Sequence, residues 1–152
     1  MILTQILKPT SIKAPLESKD KDGAIEELVN VLADSGFLSN RTEALEAVLA
    51  RETTRSTGIG SGIAIPHGKC AAAKELVMAV GIAADPIEFE SIDNKPVRII
   101  VLLVSPPDQA GPHIQALARI SRLLLDAQFK ARLEKAASPE EVYELVSSKE
   151  SE

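Results

Sequence analysis

Hydrophobic positions along the chain recur with two different periods. In DKDGAIEELVNVLADSG, residues Ile25, Leu28, Val29 and Leu32 fall on one face of a helix. Asp20 or Asp22 can cap its start, and Gly36 marks its end. A second helix follows at once. Asn40 is its cap, with Glu43 in the capping-box position, and Leu45, Val48 and Leu49 are its apolar face up to about Arg51 and Glu52. RSTGIGSG is then too rich in Gly and small polar residues for either regular element. GIAI predicts a short strand that runs into a Pro66-His67-Gly68 turn, since the residue before a proline is pushed away from helical dihedrals. LVMAVGIA and VRIIVLLV are the two clear strands, and IKAPLE predicts a brief one near the start. VRIIVLLV is apolar nearly throughout, which predicts a central strand covered on both faces. PHIQALARISRLLLDAQ predicts one long helix with Ile114, Leu117, Ala118, Ser121, Leu124 and Leu125 inward. Ser138, Pro139 and Glu141 open a last helix whose inner face is Val142, Leu145 and Val146. Helices before, between and after the strands predict an α/β fold, a three-layer sandwich of a mixed β-sheet flanked by helices on both faces.

Composition narrows the class. The 152 residues are 45% hydrophobic and 26% charged, without a linker, repeat or low-complexity tract, which predicts a single domain over 1–152. No apolar run approaches the roughly 18 residues of a membrane span, and MILTQILKPT lacks the features of a secretory signal, so the expectation is a cytoplasmic protein without direct membrane insertion. A formal net charge of −5, no Trp and one Tyr argue against nucleic acid as a partner.

The candidate chemistry rests on two histidines. A neutral imidazole attacks phosphorus through one ring nitrogen when a hydrogen bond orients the other. His67 follows a glycine-rich segment that lets backbone N–H groups approach an anion, with Thr57 and Ser61 as nearby hydroxyl donors and Arg51 and Arg55 as upstream cations. His113 follows VRIIVLLV and its PPDQAG turn, at the first turn of a helix whose N-terminus favours an anion. Loops leaving the ends of neighbouring strands can face each other, which would set His113 beside His67 as a donor to a phosphoryl oxygen.

Other chemistries are weaker. GIGSG is neither the dinucleotide fingerprint nor a P-loop. His67 and Cys70 make only half of a metal site, so no metal and no cofactor are expected, and Cys70 reads as a small packing residue. A serine–histidine–acid hydrolase would need a nucleophile elbow, which the sequence lacks.

The segment STGIGSGIAIPHGK, Ser56 to Lys69, resembles the signature of the IIA domain of the bacterial phosphoenolpyruvate-dependent phosphotransferase system, in its fructose/mannitol and nitrogen-regulatory class. EELVNVLADSGFLSNRTEALEAVLARE, IDNKPVRIIVLLVSPPDQAGPHIQALARISRLL and SPEEVYELV agree with it, so the resemblance covers nearly the whole chain. It implies that His67 accepts a phosphoryl group from the histidine-containing phosphocarrier protein and passes it to a IIB domain, or signals through its phosphorylation state. His113 matches the second active-site histidine, Arg51 the arginine that helps hold the phosphorylated loop, and Thr57 a loop residue close to the site. The family commonly has Asn where this chain has Ser61, a substitution that retunes the loop by losing the amide's separate donor and acceptor. A chain without joined IIB or IIC segments slightly favours the nitrogen-regulatory type over a sugar-transport component; an interaction domain that has lost phosphotransfer is the different-class alternative. For the partner surface, the expected steering acids are Asp85, Glu88, Glu90, Asp93 and Asp108, with Ile59 as the exposed apolar contact and Ile63 and Ile65 buried.

Overall fold

The computed structural model describes residues 2–152. Its centre is the most apolar stretch of the sequence. Val97–Ser105 forms strand β6, and Val77–Ile87 forms β5 antiparallel to it. Ahead of them in the chain come β1 (Leu7–Leu16), α1 (Lys21–Asp34), α2 (Arg41–Thr54), β2 (Gly58–Gly60), β3 (Ile63–Ala64) and β4 (His67–Lys69). After them come α3 (Ala110–Leu123), α4 (Ala127–Glu134) and α5 (Pro139–Glu150). Among the described residues the six strands form one mixed sheet in the order β1-β5-β6-β3-β2, with β4 also paired to β6. β1 runs parallel to β5, while β3 and β4 run parallel to β6.

The period-two alternation of β6 decides which layer each residue meets. From Ile99 on, Ile100, Leu102 and Val104 belong to the core under α1 and α2, and Ile99, Val101 and Leu103 to the core under α3, α4 and α5; Val97, beyond a register shift against β5, joins the first of these out of phase. The sheet is therefore covered on both faces, as its apolar sequence predicts. Ile25, Leu28, Val29 and Leu32 of α1 are all fully buried. Asp20 caps α1 by accepting from the Gly23 N–H at 2.7 Å, and Asn40 caps α2 by accepting from the Glu43 N–H at 3.0 Å. Ser138 caps α5 by accepting from the Glu141 N–H at 3.2 Å. Among the described residues, no helix is long and apolar enough to cross a membrane.

Five expectations need correction. The Pro66-His67-Gly68 segment is not a turn: His67–Lys69 is strand β4, in register with Leu103 to Ser105 of β6. The glycine-rich loop contains a strand, β2, which pairs antiparallel with β3. The first strand runs from Leu7 to Leu16, well beyond IKAPLE, because pairing with β5 extends it. The long helix is two helices. α3 ends at Leu123, and Asp126 caps α4 by accepting from the Gln128 and Phe129 N–H groups at 2.9 and 3.1 Å. The inward stripe of α3 is also rotated from the expected one: His113, Ala116 and Ile120 are buried, followed by Leu124, whereas Ile114, Ala118, Ser121 and Leu125 are exposed.

Candidate functional site

The site lies where α2, the β2–β3 hairpin, β4 and α3 meet. Gly68 lets β4 lie against α2, since a Cβ there would come within 3.0 Å of the Val48 backbone nitrogen. The register of β4 on β6 puts His67 opposite Leu103, and the Pro66 carbonyl accepts from the Leu103 N–H at 3.1 Å. The hairpin tip turns through three residues with positive φ: Gly60 at 98°, Ser61 at 58° and Gly62 at 79°. It is pinned from the side by Asp93, whose carboxylate accepts from the Ser61 N–H at 3.0 Å. This bond and a second from the Lys95 N–H hold the Asp93 carboxyl below its ordinary pKa.

His67 is half-buried, and its Nδ1–H donates to the Ile65 carbonyl at 2.9 Å. A carbonyl oxygen only accepts, so this contact puts the proton on Nδ1 and leaves the Nε2 lone pair free. Burial lowers the pKa of His67 from its ordinary 6.5. The Ile65 bond opposes that shift, and the positive charges of Arg51 and Lys69 reinforce it. The ring is thus kept neutral, the form that can act as a nucleophile.

His113, the fourth residue of α3, is 2% exposed. Its ring stands edge-to-face to that of His67, with centroids 5.2 Å apart and an interplanar angle of 67°. Nδ1 lies 2.7 Å from the Ser105 hydroxyl, and the buried Nε2 has no hydrogen-bond partner among the described residues. Burial, followed by the charges of His67 and Lys69, lowers its pKa to about 4.

A groove of about 470 Å³ opens beside His67. Arg51, Arg55, Thr57, Ile59, Glu90 and Ile92 are among the residues that line it. Ile59 and Ile92 are 48% and 72% exposed, whereas Ile63 and Ile65 are buried. Arg51 spends one donor on the Arg55 carbonyl at 2.9 Å, which ties the end of α2 to the start of the loop. The remaining donors of its guanidinium are available to an anion. Asp85, Glu88, Glu90, Asp93 and Asp108 are all exposed. Cys70 is buried in the core under α1 and α2.

Two of the expected hydroxyl donors are placed differently from the sequence reading. Thr57 lines the groove, yet its hydroxyl donates to the Glu52 carboxylate. Ser61 is exposed at the hairpin tip and does not line the groove.

Two residues of the site were missed. Glu52, in the last turn of α2, is 6% exposed and accepts from the Thr57 N–H at 2.8 and 3.2 Å as well as from the Thr57 hydroxyl. Lys21 approaches the same carboxylate at 3.9 Å and Glu90 at 3.7 Å, so α1 and the segment after β5 are braced against the loop. A carboxylate at a helix C-terminus opposes the helix dipole, and that misplacement was the available signal. Ser105 is the other, a hydroxyl closing a strand that is otherwise apolar except for Arg98.

This arrangement combines a neutral imidazole with a free nitrogen, a second neutral imidazole beside it, an arginine and an open groove. It suits reversible transfer of a phosphoryl group from one protein to another. Known proteins agree. Residues 5–149 match the family described as "Phosphoenolpyruvate-dependent sugar phosphotransferase system, EIIA 2". The chain is 36% identical over 146 residues to the fructose-specific EIIABC component of Bacillus subtilis strain 168, covering 96% of this chain and 23% of that much longer protein. The crystal structure of the nitrogen regulatory protein IIA-Ntr from Neisseria meningitidis superposes with a TM-score of 0.85 at 30% identity, covering 93% of this chain and 97% of that one. The mannitol enzyme IIA of Escherichia coli, solved in complex with phosphorylated mannitol enzyme IIB, shares the fold with a TM-score of 0.79 at 22% identity, covering 93% and 99% of the two chains. This chain belongs to the EIIA type 2 family of the phosphoenolpyruvate-dependent sugar phosphotransferase system and is a phosphoryl-carrier component of that system.

Proposed function

We propose that His67 is the residue that carries the phosphoryl group, through Nε2. The observation that carries this reading is the bond from His67 Nδ1–H to the Ile65 carbonyl, which commits one nitrogen and leaves the other as a lone pair at the groove. The donor is the histidine-containing phosphocarrier protein. Its N–P bond breaks as the Nε2–P bond forms; the donor imidazole keeps the electron pair, and the proton of His67 stays on Nδ1. Arg51 lies on the same groove and offsets the charge of the transferring group. His113 gives a hydrogen bond through Nε2, the one polar atom of its ring without a partner. Thr57 acts through Glu52 by fixing the loop, and Ser61 shapes the hairpin tip.

Onward transfer goes to a IIB domain or is replaced by a signal read from the phosphorylation state. The match along 97% of the IIA-Ntr chain supports the regulatory role, and the 36% identity with a fructose-specific component supports a transport role. Incubation with phosphoenolpyruvate, enzyme I and the phosphocarrier should give an acid-labile adduct on His67. Subsequent addition of a fructose-type IIB domain should discharge it under the transport role and leave it in place under the regulatory role. Undiminished label in His67→Ala would refute the assignment.

A further inference from the structure

The groups that hold the two histidines come from one short stretch of sheet. β4 pairs with β6 so that His67 lies opposite Leu103 and Lys69 opposite Ser105. Ile99, Val101 and Leu103 alternate into the core beneath α3, and Ser105 is the next residue in that alternation. It is fully buried, and its hydroxyl meets His113 Nδ1 at 2.7 Å.

We propose that Ser105 is a positioning residue that sets the tautomer of His113: its hydroxyl donates to Nδ1, keeps the ring proton on Nε2, and so makes His113 a neutral hydrogen-bond donor for a phosphoryl group on His67. The proposal rests on the reading of His67 given above.

Counting polar groups decides the direction of the bond. If the serine donates, both partners are engaged and one buried donor, Nε2–H, lacks an acceptor. If Nδ1–H donated instead, the serine proton would be idle and the Nε2 lone pair would also be unpaired. The first arrangement leaves one fewer unsatisfied group in a site where each is costly. The remaining idle donor is what an incoming anion needs, whereas an unpaired lone pair at the same place would repel phosphoryl oxygens. The depressed pKa of His113 keeps the ring neutral with a single N–H, and the Ser105 contact is what decides which nitrogen carries it. A valine at position 105 would continue the apolar alternation, but it would leave Nδ1 without a partner.

The test is tautomer assignment by long-range proton–nitrogen NMR on the full-length ¹⁵N-labelled chain, together with the rate of phosphotransfer from the phosphocarrier. In the native protein, His113 should carry its proton on Nε2. In Ser105→Ala the ratio of the two neutral tautomers should shift by about three- to tenfold towards Nδ1–H, the range that one neutral hydrogen bond commands, and phosphotransfer should slow by up to about the same factor. Ser105→Thr keeps the hydroxyl and should restore the native tautomer. A native His113 protonated on Nδ1 overturns the proposal without any variant, and so does a Ser105→Ala tautomer ratio equal to the native one. A failure of the His67 reading is distinguishable, because it would appear as label outside His67 while the tautomer measurement still stood.

Discussion

His67 and His113 have ring centroids 5.2 Å apart, yet the chain supports them in opposite ways. His67 is half-buried on a three-residue strand, and its Nδ1 is held by the carbonyl of its own neighbour, Ile65. His113 is buried on a 14-residue helix and is held by a side chain from a different element. The carbonyl at His67 leaves a lone pair to react. The hydroxyl at His113 leaves a proton to give. In the roles proposed above, the same side chain would serve as nucleophile in one place and as donor in the other, with the difference set by the group at each Nδ1.

The comparison breaks most sharply when the nucleophile is removed. His67→Gln should abolish phosphorylation completely although the polarity of the site is kept, as read by label transfer from the phosphocarrier. His113→Ala should leave His67 as the labelled residue but slow transfer by about 10²-fold, in line with losing one preorganised donor to transition-state charge; single-turnover kinetics give the number.

Acid should distinguish the two regions next. His113 is depressed from 6.5 to about 4 in the folded chain. Between those values the unfolded chain binds more protons than the folded one, so stability rises with pH across the window. The contribution is fully present above about pH 6.5 and is lost as pH falls towards 4; at 1.36 kcal/mol per pKa unit it amounts to about 3 kcal/mol. His67 acts in the same direction. Denaturant titrations between pH 4 and 7 should show a clear slope in the native protein and a reduced one in His113→Gln. An unchanged slope would mean that burial does not hold His113 neutral.

The loop that faces His67 should be less tolerant than its exposure suggests. Glu52→Ala leaves the buried Thr57 N–H and hydroxyl without their acceptor and should destabilise the chain by about 1–3 kcal/mol in chemical denaturation. Transfer should slow as well, because Thr57 lines the groove.

The architecture was readable where pattern and packing say the same thing. Ile25, Leu28, Val29 and Leu32 share one face and are all buried, and the caps Asp20, Asn40 and Ser138 accept from their expected helix-start N–H groups. α3 was misphased because Leu123, Leu124 and Leu125 are consecutive and fit more than one stripe. Its phase is fixed by a buried histidine and by the break at Asp126, neither of which periodicity registers. Pro66 and Gly68 resemble turn punctuation, yet pairing with β6 overrides their local preference. At the site, the histidines and Arg51 stood out from their neighbours. Glu52 and Ser105 did not, because their roles depend on Thr57 and His113, which only the folded chain brings within hydrogen-bonding distance.

The smallest expected effect lies on the partner surface. The exposed acids Asp85, Glu88, Glu90, Asp93 and Asp108 would steer a phosphocarrier towards the groove if its docking face carries the complementary basic charge, with Ile59 and Ile92 as apolar contacts. Charge reversal at Glu88 and Asp108 should lower the bimolecular rate severalfold at about 20 mM salt, and salt near 500 mM should screen most of that difference. A rate indifferent to both would remove acidic steering and leave the chemistry of the two histidines untouched.

The central claim is that His67 Nε2 is the atom that takes the phosphoryl group. It is tested most directly by NMR of the ¹⁵N-labelled chain after phosphorylation by phosphoenolpyruvate, enzyme I and the phosphocarrier. The account predicts a phosphorus–nitrogen coupling at His67 Nε2, with the proton retained on Nδ1. Coupling at His67 Nδ1, or at either nitrogen of His113, would contradict it.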